Sequence, residues 1–266
     1  MSAGSAMAGR VLMAIVIAVC AYLVVPTLAV IPVSFTATDY ITFPPQGFSL
    51  EWYGVFLGEG PWRSSTVNSI LIALASTVAA TAIGTLAALG LSRLSGTVGR
   101  VVIWFFLLPM IVPSIIIAVA LYSAFAKVGI VGTKLGLIVG HTILTLPFVI
   151  INVSAVMQKI DWRIVDAARS LGASPATAFR KVTLPAILPG VVAGAIFAFL
   201  TSFDEVVVAL FISGIDSVTL PVQMWNGIRF EVSPAVAAAS CILLSFSVLI
   251  LSLFTLVRRN SGQAST

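Results

Sequence analysis

The sequence predicts an all-α integral membrane protein with six transmembrane helices, and three observations predict it. Of its 266 residues, 59% are hydrophobic and 9% charged, against roughly 25% charged in soluble domains, and the mean hydropathy is +1.14. Six apolar stretches are long enough to cross a ~30 Å hydrocarbon layer, which takes about 20 helical residues. These stretches are continuous, unlike the ~10-residue alternating segments of a membrane barrel.

The spans are expected at about 11–33, 67–92, 101–126, 135–157, 187–213 and 235–257. Residues 1–10 and 258–266 form short tails, and a polar loop covers 158–186. The apolar run from Val11 to Val33 exceeds the ~7–15 residues of a signal core, and no small-x-small cleavage pattern follows, so it is expected to stay as a helix. The loop after it carries Tyr40, Trp52, Tyr53 and Trp62, which suit an interfacial aromatic belt. Span two places small residues four apart at Ser76, Ala80, Gly84 and Ala88, and span five opens with Gly190 and Gly194. Such residues let helices approach closely in lipid, where the hydrophobic effect does not drive association. Packing within the chain is the simpler reading, and contact with another subunit the alternative. Pro109 and Pro113 should kink span three.

Charge sets the orientation. With the amino terminus inside, the inner segments hold Arg10, Arg93, Arg100, Lys159, Arg163, Arg169, Arg180, Lys181, Arg258 and Arg259. The outer segments hold Arg63, Lys127, Lys134 and Arg229. The positive-inside rule then puts both termini and the 158–186 loop in the cytoplasm. The basic residues flank spans and form no separate patch, so nucleic-acid binding is excluded. Cys20 and Cys241 lie inside spans, which argues against a disulfide framework or a thiol metal site.

The loop's core, Asp166 to Pro185, is the long polar interruption in the chain. It predicts two short helices broken at Gly172, which suits a left-handed turn. Ser174 is placed to cap the second helix, with Pro175 at its first position. Phe179, Val182 and Leu184 add apolar groups at a membrane surface, the design of a docking element.

Asp204 and Glu205 are acidic residues within a span. Asp204 lies 17 residues beyond Ile187, or about 25 Å along a helix, in the outer half of span five. Intramembrane carboxylates cost roughly 2.5–3.5 kcal/mol on insertion scales, so they should face a cavity or a partner. Adjacent helical positions point ~100° apart, so both serve one spot only if the helix is broken there. Thr201, one turn before Glu205, is placed to hydrogen-bond it or line the same path. Two readings stand: a carboxylate meets a cationic solute, or the pair holds a partner's Arg or Lys or an outer gate. His141 reads as a satisfied interfacial histidine, with a proton relay as alternative. Trp225, before span six, reads as a headgroup anchor or a stacking platform.

The segment Asp166-Ala167-Ala168, then Gly172, then Val182-Thr183-Leu184-Pro185 resembles the EAA loop of ATP-binding cassette importer permeases. Asp166 stands for the usual Glu and Val182 for Ile, changes that keep the charge and the apolar knob. Phe48-Ser49-Leu50-Glu51-Trp52-Tyr53, Asn68-Ser69, Thr201 to Val208 and Leu220 to Trp225 are similar to elements of the polyamine-type subfamily. The resemblance implies the type I (MetI-like) permease fold. It implies a second homologous permease, with a heterodimer favoured, and two ATPase subunits that bind ATP and magnesium. It also implies an external substrate-binding protein and a place in the bacterial inner membrane. It assigns Asp166, Ala167, Ala168, Gly172, Phe179, Val182, Leu184 and Pro185 to coupling, and a small organic cation as solute. Related solutes are opines, aminobutyrate and aminophosphonates.

Independently, no lysine sits in a G-x-x-x-x-G-K-[ST] loop, so the chain has no phosphate cradle of its own and no cofactor is expected in it. A serine hydrolase would need a base and a G-x-S-x-G elbow, and only His141 offers a histidine base. An uncoupled channel has no use for a docking loop.

Overall fold

The computed structural model describes residues 3–231 and 233–263, and among them the chain is helical with no β-strand. It divides into two compact units, Met1–Arg63 with Met224–Thr266, and Ser64–Gln223.

The first unit holds α1 (Ala3–Val33), α2 (Glu51–Leu57) and α12 (Ala235–Gln263), with α12 packed on both others. The loop after α1 is tied back on itself. Ala37 N–H donates to Gln46 O at 3.0 Å and Ser49 N–H to Phe35 O at 2.8 Å. Trp52 Nε1–H donates to Thr36 O at 3.1 Å, and the Ser34 and Tyr53 hydroxyls share a 2.7 Å bond. Phe35 stacks on Phe48 with ring centroids 5.1 Å apart. Of the expected belt aromatics, Trp62 is buried, Trp52 and Tyr53 are half-buried, and Tyr40 is exposed. The polar tips of Trp52 and Tyr53 turn inward, to a loop carbonyl and to the Ser34 hydroxyl. The side chains of Arg258 and Arg259 lie outside the described residues.

The second unit is built around α6 (Lys134–Met157), which packs against α9 (Leu184–Phe203), α10 (Val207–Ile212) and α4 (Gly96–Ile111). Glycines make the close approaches. A methyl on Gly194 would lie 2.8 Å from Val149 Cα, one on Gly190 2.8 Å from Asn152 O, and one on Gly84 2.8 Å from Val149 Cβ. The stripe of α3 (Pro61–Leu91) continues this contact: Ser76, Ala80 and Ala88 are buried, and Ser76 Oγ donates to Ile138 O at 3.2 Å. Within this unit both stripes pack on the same chain, with α6 between.

Two spans depart from the single rods expected. Span three is α4 followed by α5 (Ser114–Val128), bent by 103°. Pro113 disfavours helical geometry at the residue before it, and Val112 is extended at ψ 131°. Pro109, by contrast, is absorbed inside α4. The helix of span five begins earlier than 187, running without a break from Pro175 to Phe203. A π-turn at Phe179–Thr183, where Leu184 N–H bonds to Phe179 O, precedes Pro185. The widened turn accommodates a residue that has no N–H to donate. The same span stops at Phe203 and resumes at α10.

By length and apolarity, four described helices can cross a bilayer, or five if α4 and α5 form one span; the apolar part of α12 described, Ala235–Leu249, is shorter.

Candidate functional site

Two local structures in the second unit carry the sequence's polar signals. The first runs through α7 (Arg163–Ser170), α8 (Pro175–Ala178) and the π-turn into α9. Asp161 Oδ1 accepts from Arg163 N–H at 3.0 Å and starts α7. At its end Gly172 adopts φ +90°. Gly172 N–H then reaches Arg169 O at 3.0 Å, and Ala173 N–H reaches Ala168 O at 3.1 Å. That is the paired bonding of a Schellman cap, and it explains the four-residue step from Ala168 to Gly172. Ser174 Oγ accepts from Thr177 N–H at 3.2 Å, and Pro175 opens α8.

This double cap turns apolar side chains outward. Leu171 is 89% exposed at the tip, and Ile164, Trp162 and Phe179 are also exposed. Sequence reasoning named Phe179 but missed Leu171, Ile164 and Trp162. The available signal was an apolar residue directly before the turn glycine. Asp166 and Ala167 are exposed and Ala168 half-buried. Asp166 and Arg169 face an open cleft of about 760 Å³, which Leu89, Arg93, Trp162 and Phe179 also line. Val182 and Leu184 are half-buried, Leu184 against the chain's own core beside Ile187 and Val153, while Pro185 is exposed.

The second structure is the break in span five. α9 ends at Phe203, with Asp204 as its C-cap, and Glu205 caps the helix that follows. Its Oε1 accepts from Val207 N–H and Val208 N–H, both at 3.0 Å, and its Oε2 from Ala209 N–H at 3.0 Å. These amides, rather than Thr201, take the carboxylate; Thr201 is half-buried. Asp204 is exposed. His141 is 1% exposed, its Nδ1 shares a 2.9 Å bond with Ser202 Oγ, and its Nε2 lies 3.9 Å from Glu205 Oε2. Ser202 was not singled out from the sequence.

The stretch beyond α10 is pinned. Asn68 Nδ2 donates to Asp216 O at 3.1 Å and Val218 O at 3.0 Å, and Leu220 N–H donates to Ser69 Oγ at 2.8 Å. Asn68-Ser69 is thus a backbone clamp. Trp225, half exposed, lies on α11 (Leu220–Asn226) rather than in a loop and belongs to the other compact unit. Among the described residues, no three His, Cys, Asp or Glu side chains are grouped to hold a metal.

The sequence profile of the binding-protein-dependent transport system inner membrane component family matches residues 80–262. The spermidine/putrescine permease PotC of Escherichia coli K12 is 32% identical over 250 residues, 94% of each chain. The putrescine permease PotI of the same strain is 30% identical, covering 84% of this chain and 82% of its own. The trehalose permease SugB of Mycobacterium tuberculosis is also 30% identical, over 92% of each chain. Among solved structures, a chain of a bacterial importer for the acidic polysaccharide alginate superposes with a TM-score of 0.73 at 14% identity, covering 97% of this chain and 98% of its own. An alginate transporter in complex with a pentasaccharide-bound periplasmic protein gives 0.69 at 15%, covering 98% and 95%.

This chain belongs to the binding-protein-dependent inner membrane component family. It is the permease component of an ATP-binding cassette importer, a multi-pass membrane protein of the MetI-like fold rather than an enzyme.

Proposed function

We propose that this permease imports small organic cations, polyamines first, by alternating access driven through Asp166–Pro185. The end-to-end likeness to a spermidine/putrescine permease supports the solute assignment. Because a trehalose permease is similar to nearly the same degree, identity alone does not choose the solute. The exposed carboxylate of Asp204 favours a cation, since it is the member of the acidic pair left open to meet one. Thr201 is assigned to the same pathway.

The coupling assignment rests on the double-capped turn and its bare apolar tip, which suit a cleft on another protein. Asp166, Ala167, Ala168, Gly172 and Phe179 form the docking face. Val182, Leu184 and Pro185 pass its displacement into span five, for Leu184 packs on the core beneath. Two ATPase subunits bind ATP and magnesium, and this chain holds no cofactor. A second homologous permease completes the pathway as a heterodimer, and an external binding protein delivers solute. Both termini and the 158–186 loop face the cytoplasm, by the charge distribution. Six crossings satisfy that orientation, with α4–α5 and α9–α10 as broken spans.

Calorimetric titration of the cognate binding protein tests the solute. Heat with spermidine or putrescine is the expected outcome. Heat only with an opine, aminobutyrate, an aminophosphonate or a sugar would replace the solute while leaving the importer in place.

A further inference from the structure

His141 carries a polar atom that the static structure does not satisfy. The ring is fully enclosed, Nδ1 is engaged by Ser202, and Nε2 has no hydrogen-bond partner. Buried polar atoms are nearly all paired, so an orphan at this depth calls for a partner in another arrangement. That partner is within reach. Glu205 Oε2 stands 3.9 Å away, too far for a hydrogen bond.

The carboxylate is asymmetric in the way this requires. Oε1 accepts two amides, from Val207 and Val208, whereas Oε2 accepts only that of Ala209. An ionised carboxylate offers about four lone-pair sites, two on each oxygen, so Oε2 keeps one acceptor site. With the Ser202 hydroxyl donating to Nδ1, the single ring proton of a neutral imidazole sits on Nε2, facing that site. Closing the gap by about 1 Å makes a charge-assisted bond of ordinary length.

We propose that His141 is a positioning residue that latches the outer half of the broken span in one transport state and releases it in the other. The three groups sit on three elements. The imidazole belongs to α6, Ser202 to the last turns of α9, and Glu205 to the cap of α10. α9 is continuous with the docking segment, so this inference rests on the importer reading, in which α9 carries the displacement. A shift of α10 against α6 opens or closes the Nε2–Glu205 contact while Ser202 keeps the ring's tautomer. Of the elements in this unit, α9 and α10 carry no ionisable side chain, α3 from Ser64 on carries none, α4 carries Arg100, which is exposed, and α5 offers Tyr122 and Lys127. Asp204 adjoins Glu205 but is exposed.

Because the chain has one histidine, the latch has its own spectroscopic signature. The permease is labelled with ¹⁵N-histidine and assembled with its partner subunits. Ring-nitrogen spectra are then recorded without nucleotide and with ATP trapped on a hydrolysis-deficient ATPase. His141→Gln assigns the signals by their loss. The protonated ring nitrogen is expected to shift by more than its linewidth between the two states, and Glu205→Gln to abolish that shift. An identical position in both wild-type states overturns the latch, as does a shift that survives Glu205→Gln. The wild-type comparison decides even if the Glu205 variant fails to assemble. In uptake, His141→Phe should lower the maximal rate roughly tenfold with half-saturation within about twofold, because the lost contact belongs to turnover and not to binding. A change in half-saturation alone overturns it. Absence of ATP-dependent uptake in the wild type would instead strike the importer reading.

Discussion

Asp204 and Glu205 are neighbours in the chain with opposite surroundings: Glu205 is bound by three backbone amides of α10, and Asp204 is exposed. One carboxylate holds the break in span five together, and the other is left for a partner. A pair that looked interchangeable in sequence is divided between holding the break and facing outward.

Substituting the two separately should therefore give different defects. Glu205→Ala removes the cap of α10, a loss of about 0.5–2 kcal/mol, and should lower the thermal midpoint of the purified permease. Asp204→Asn should leave that midpoint unchanged and raise the half-saturating solute concentration about tenfold, the equivalent of ~1.4 kcal/mol. Uptake kinetics and thermal melts in detergent check both. Wild-type half-saturation in Asp204→Asn would remove the residue from the pathway.

Gly194→Ala should destabilise the second unit by about 1–3 kcal/mol, the usual cost of overpacking. The added methyl meets the Cα of Val149 at 2.8 Å, which is backbone, so Val149→Ala should not rescue it. Thermal unfolding of the single and double variants measures this, and full rescue would mean that the added methyl is opposed by the Val149 side chain and not its backbone.

Asn68→Ala should loosen the stretch beyond α10. The side chain is buried and donates to two carbonyls, and leaving such groups unsatisfied costs about 1–3 kcal/mol. Hydrogen exchange should quicken in residues 213–219 and stay unchanged in the docking segment. Equal exchange in both places would contradict the clamp.

The parts legible in the sequence are those specified locally. Helical class follows from continuous apolar runs, and the caps at Gly172 and Ser174 follow from residue types acting within three or four positions. The break at Glu205 was half visible: adjacent carboxylates in one span invited it, but the apolar run continues unbroken through Val206 to Ile212. Span five's early start was hidden because Pro185 and Pro189 resemble stop signals, and only the π-turn removes the conflict. The His141–Ser202 bond joins residues 61 apart, beyond any periodicity, and the inward turn of Trp52 and Tyr53 depends on the Thr36 carbonyl and the Ser34 hydroxyl, partners that composition does not reveal.

Gly172→Pro should abolish coupling without preventing membrane insertion. At φ +90° the position excludes proline, whose φ is near −65°, and the change also removes the amide bonded to Arg169 O. Gly172→Ala should be milder, costing about 1–2 kcal/mol for a left-handed non-glycine residue. Binding-protein-stimulated ATPase activity in assembled complexes is the measure. Retained stimulation in Gly172→Pro would count against the segment as the transmission element.

The most direct test concerns the exposed tip of that segment. In a Cys20→Ser, Cys241→Ser background, Leu171→Cys is reacted with a membrane-impermeant maleimide in inside-out vesicles, before and after the ATPase subunits are stripped. If Asp166–Pro185 docks into the motor, labelling should be blocked in the intact complex and appear on stripping. Equal labelling in both preparations would contradict the account.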